Sequence, residues 1–110
     1  MIYLMKLGGL LNELKNNIDE LNNYNNHLEI KINKLENDNS QLNWEYDQSY
    51  YIPPGLANHY DYKKLYEYRQ ILLDRIANNN NYINELKVSL DKHINICKLY
   101  EKCFFFLNKN

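Results

Sequence analysis

Residues 49–56 read SYYIPPGL, Ser49 to Leu56, near the middle of a chain of 110 residues. Pro53 and Pro54 both lack an amide hydrogen, and Pro54 disfavours helical geometry at Pro53. Gly55 can take the left-handed conformation that closes a turn. No helix runs through such a stretch. Long helical periodicities flank it on both sides, so the patch folds the chain back on itself. The expected architecture is all-α: an antiparallel helical hairpin of two long coiled-coil helices. It forms one domain over 1–110, with helix 4–46, connection 47–58 and helix 59–107, and the hairpins pair into a four-helix bundle.

The first arm is a zipper. Leu7, Leu14, Leu21, Leu28, Leu35 and Leu42 recur every seven residues, which marks the d position of a heptad. Leu4, Leu11, Ile18, Asn25, Ile32, Asn39 and Tyr46 fill the matching a positions. A repeat of 3.5 residues implies a left-handed supercoil. Asn at a gives up stability, because a seam amide needs a partner, and in return it selects a register. Leu10 and Tyr24 at g widen the apolar face beyond the strict seam, while charged pairs at e and g are sparse. A DNA-binding zipper needs a basic helix ahead of it, and here the heptads start within the first few residues.

The second arm resumes the same spacing. Leu65, Leu72, Ile76, Asn79, Ile83, Leu86, Leu90, His93, Cys97, Tyr100, Phe104 and Leu107 follow in steps of three and four from Leu72 onward. Asn58 or Asp61 can cap its start. Leu73, Tyr82, Ile94 and Ile96 lie beside the seam and broaden it, as expected of a helix that meets more than one neighbour.

One register brings the polar seam positions together. It sets Leu42 opposite Tyr62, Ile32 opposite Leu72, Leu28 opposite Ile76, Leu21 opposite Ile83, Ile18 opposite Leu86, Leu14 opposite Leu90 and Leu7 opposite Cys97. Asn25 then faces Asn79, where two amides satisfy each other. Arg69 falls opposite Leu35, a misfit that its long stem relieves by snorkelling.

The ends of the hairpin are aromatic. Trp44 and seven of the eleven tyrosines lie between residues 44 and 68, where they either fill the tip or present a docking surface. Trp44, Tyr50, Tyr51 and Ile52 are the docking candidates there, and Phe104, Phe105 and Phe106 at the other end, because three adjacent phenylalanines cannot all face one seam.

Composition sets the class. Charged residues are 25% and the net charge is −1, which gives no general attraction to nucleic acid or to an anionic membrane. Asn recurs throughout, with a run at Asn78–Asn81, a bias typical of AT-rich codon usage. No apolar run is long enough to span a membrane, and MIYLMKLGGLL lacks the basic leader and cleavage site of a signal peptide. Two cysteines, Cys97 and Cys103, make no disulfide framework, so an intracellular location, cytoplasmic or nuclear, is expected.

His93 and Cys97 share a helix face, which is half of a metal site, but no second pair has ligand spacing. Phosphate loops, nucleophile elbows and zinc-helix motifs are absent from the sequence. The expectation is no enzyme, no cofactor and no metal, with protein partners: this chain itself or a related helical subunit. The expected function is a non-catalytic coiled-coil scaffold subunit of a multi-protein complex of kinetochore, cytoskeletal or tethering type. Two alternatives remain. A helical hairpin of this chain length resembles prefoldin, which implies holdase chaperone activity, although prefoldin carries β-hairpins where this chain has a short connection with two prolines. The other is a small viral or phage protein that inhibits a host protein by binding it. Two further readings are attachment to a membrane surface through the aromatic ends, and a parallel homodimer of the first arm with the second arm folded elsewhere.

Overall fold

The computed structural model describes residues 2–52, 55 and 61–109, with side chains from residue 6 onward. Two long helices, α1 (Ile2–Gln48) and α2 (Tyr62–Lys109), pack against each other as a helical hairpin. Pro53, Pro54 and Asn58 lie outside the described residues. Gly55, with φ at 86°, occupies the left-handed region where a side chain is strained.

The helix limits differ from the expected ones at the connection. α1 continues to Gln48 because the Ser49 amide still bonds the Glu45 carbonyl at 2.9 Å, and Tyr51 N–H closes the last turn onto Gln48 O at 3.0 Å. α2 begins at Tyr62 because Asp61 caps it. The Asp61 carboxylate accepts from Lys64 N–H at 3.1 Å, and its carbonyl accepts from Leu65 N–H at 3.0 Å.

The chain divides into two compact units, Met1–Lys31 with Leu86–Asn110, and Ile32–Glu85. In the first, Asn25, Leu28, Leu86 and Cys97 are buried, while Leu7, Leu11, Leu14, Ile18, Leu21, Leu90 and Phe104 are half-buried. In the second, Ile32, Asn39, Leu72 and Ile83 are buried, and Leu35, Leu42, Ile76 and Asn79 are half-buried. Leu72 alone among the described residues is less than 2% exposed. Each core is thus one side chain deep: a seam residue packs on the facing helix and shows its remaining flank to water.

Candidate helix-pairing interface

Register is decided in the second unit by one amide cluster. Asn39 on α1 is 7% exposed. Its Nδ2 donates to Asn80 Oδ1 at 2.8 Å and approaches the Ile76 carbonyl at 3.5 Å, while its Oδ1 accepts from Asn79 Nδ2 at 2.9 Å. Donor and acceptor are both satisfied, the condition under which a seam amide is tolerated. This corrects the expected pairing of Asn79 with Asn25. The helices sit two heptads away from the expected register, so Asn79 meets Asn39.

A shift by whole heptads keeps every leucine in the seam, so the apolar pattern does not distinguish the two registers. Polar chemistry does. In the observed register Arg69 no longer opposes Leu35. It reaches the end of α1, where Nη2 donates to Ser49 O at 2.8 Å and Nε donates to Ser49 Oγ at 3.1 Å. Its guanidinium lies 3.8 Å from the centre of the Tyr50 ring. The last turn of α1 carries no basic residue of its own, so α2 supplies the cation that the helix C-terminus favours. The phenols of Tyr46 and Tyr50 share a hydrogen bond of 2.8 Å, and that bond pushes the Tyr46 hydroxyl above its usual range.

The same register exposes the aromatic tip. With Arg69 beside Ser49, the first two turns of α2 extend past the last residue of α1, and Tyr62, Tyr66 and Tyr68 are exposed. Trp44, Tyr50 and Tyr51 are likewise exposed, Tyr51 at 67%, while Ile52 is half-buried.

In the first unit the seam also carries polar groups. Cys97 lies against Asn22, and not against Leu7 as the expected register had it. Its Sγ is 3.4 Å from Asn22 Oδ1 and 3.5 Å from Glu101 Oε1. Burial, followed by the hydrogen bond and charge of Glu101, pushes the thiol pKa up. His93 donates from Nδ1 to the Ser89 carbonyl at 2.6 Å and packs its ring 4.7 Å from that of Tyr24. Among the described residues no three His, Cys, Asp or Glu side chains gather as a metal site. Asn25 is 6% exposed, and its Oδ1 finds no hydrogen-bond partner among the described residues.

A groove of about 410 Å³ crosses this unit, lined by Asn17, Glu20, Leu21, Tyr24, His93, Ile96 and Tyr100. Seam residues Leu21, His93 and Tyr100 line it together with the flanking Tyr24 and Ile96 and the polar Asn17 and Glu20. The three adjacent phenylalanines separate: Phe104 turns half-buried toward the seam, and Phe105 and Phe106 stand out at 69% and 67% exposure.

Sequence reasoning missed Asn80, Ser49, Asn22 and the role of Arg69. The signal for Asn80 was present in the run Asn78–Asn81, which sets amides at a seam position and beside it. No helix among the described residues is long and apolar enough to cross a membrane. Comparison with protein families, with curated proteins and with solved structures finds no match for the chain.

Proposed function

We propose that the chain is a non-catalytic coiled-coil subunit whose hairpin pairs with a second copy, or with a related helical subunit, in a four-helix contact. It serves as a scaffold within a larger assembly of kinetochore, cytoskeletal or tethering type. One observation carries this reading. In the first unit every seam leucine and isoleucine of α1 from Leu7 to Leu21 is only half-buried, and Leu10 and Tyr24 beside them are each 45% exposed. A core this thin is marginal against the cost of ordering the chain, and a partner helix adds burial to it. The groove at Leu21 offers room for such side chains.

Light scattering of the purified protein tests the reading. The expected mass is a multiple of the 13.4 kDa chain, reduced to one chain by Leu10→Glu with Tyr24→Glu while the far-ultraviolet helix signal persists. A wild-type chain that is monomeric at tens of micromolar and still melts cooperatively overturns self-pairing. Affinity capture from source cells then asks for a helical partner. Suppression of client aggregation by the monomer would transfer the reading to the prefoldin-like alternative.

A further inference from the structure

The last turns of α2 carry a second face, opposite the seam. Asn95, Lys98, Leu99, Lys102, Phe105, Phe106 and Lys109 fall within about 120° of arc at 100° per residue, centred away from Cys97, Phe104 and Leu107. Leu99, Phe105 and Phe106 are 60% exposed or more. Lys109 Nζ lies 5.8 Å from the centre of the Phe105 ring, and Lys98 and Lys102 flank the same aromatic pair. Between residues 92 and 110 four lysines stand against a single carboxylate, Glu101, whereas the remainder of the chain is net acidic. The overall charge of −1 conceals this local asymmetry.

We propose that this face docks on an anionic lipid surface. Three large apolar side chains insert at the boundary between headgroup and acyl chain, and the lysines stretch out to the anionic headgroups. Two features favour a bilayer over a protein. The cations are all lysine, a residue depleted from protein interfaces, where arginine is enriched. The apolar groups project from one exposed face of a single helix, which suits a deformable plane better than a groove-bearing partner. The helix lies on the surface and does not cross it, in keeping with its mixed apolar and charged sequence.

This goes beyond the pairing function and is tested apart from it. The full chain is sedimented with vesicles of phosphatidylcholine containing phosphatidylserine, and with phosphatidylcholine alone. The expected result is binding to the anionic vesicles at least tenfold stronger than to the neutral ones, weakened by salt. Phe105→Ser with Phe106→Ser abolishes it, and Lys98→Gln with Lys102→Gln removes the preference for phosphatidylserine. All six side chains of the face that are apolar or charged are exposed, so both variants keep the helix signal and the assembly mass. Absence of anionic-vesicle binding by the wild-type chain overturns the proposal, as does equal binding by the variants. Loss of assembly mass in the phenylalanine variant, without vesicle binding by the wild type, would identify the face as a helix-pairing contact and overturn it too.

Discussion

Asn79 on α2 donates its side-chain amide to Asn39 Oδ1 on α1 across 2.9 Å, and Asn39 in turn donates to Asn80. Asn25 occupies an equivalent heptad position and is buried to the same degree, yet its Oδ1 has no partner among the described residues. Of two seam amides at similar burial, one is thus satisfied on both sides and the other leaves its acceptor unpaired among the described residues.

That contrast is measurable. Asn39→Ala and Asn25→Ala remove the same atoms from sites of similar burial, so their cavity costs are alike. Asn39→Ala also forfeits the amide bonds, and it is expected to cost about 1–2 kcal/mol more in urea unfolding. Asn25→Leu is expected to stabilise the fold by roughly 1 kcal/mol or more, because it deletes an unsatisfied buried acceptor. Equal effects at the two sites would contradict the assigned register. Cysteines at Asn39 and Asn79 should crosslink within one chain, and cysteines at Asn25 and Asn79 report the alternative register two heptads away.

Arg69 holds the end of α1 through Ser49 and lies on the ring of Tyr50. Arg69→Met keeps the stem and loses the fork. The expected loss is about 1–2 kcal/mol, from charge-assisted bonds and the uncompensated helix terminus. Arg69→Lys should recover only part of it, since an ammonium cannot serve both Ser49 oxygens and stack on Tyr50 in one geometry. Hydrogen exchange of the Ser49–Tyr51 amides, faster in both variants, locates the effect.

Gly8 and Gly9 sit inside α1, and a Cβ at either position meets nothing within 4 Å. Helix interiors pay about 1 kcal/mol for Gly relative to Ala, so Gly8→Ala and Gly9→Ala are each expected to raise stability by roughly 0.5–1 kcal/mol. Gly55→Ala has equally open space but a φ of 86°, and is expected to cost about 1 kcal/mol. Thermal melts of the three variants should move in these opposite directions.

Cys97 is buried and Cys103 is exposed, so a maleimide should label Cys103 in the folded chain and reach Cys97 only on unfolding. The native Cys97 pKa is raised, mainly by burial. The folded state then holds this proton more tightly than the unfolded state does. Its contribution to stability is complete below the unfolded thiol pKa, about 8.5, and is lost as pH rises through the higher folded value. Stability should therefore fall above about pH 8.5, and fall less steeply in Cys97→Ala.

Leucine spacing determined that both arms are helices and which faces they bury, and the Pro53–Gly55 stretch that the chain folds back between them. Periodicity and the absence of an amide hydrogen at Pro53 and Pro54 are local properties, and local chemistry suffices to read them. Which layer meets which was decided only in the tertiary structure. A slide by whole heptads leaves every leucine in the seam, so the choice fell to a few polar contacts: Asn39 with Asn79 and Asn80, Arg69 with Ser49, Asn22 with Cys97. Those contacts join residues 20 to 75 positions apart in sequence. The exposure of Tyr62, Tyr66 and Tyr68 follows from the same choice, because the start of α2 overshoots the end of α1 only in the register that the amides and the guanidinium select.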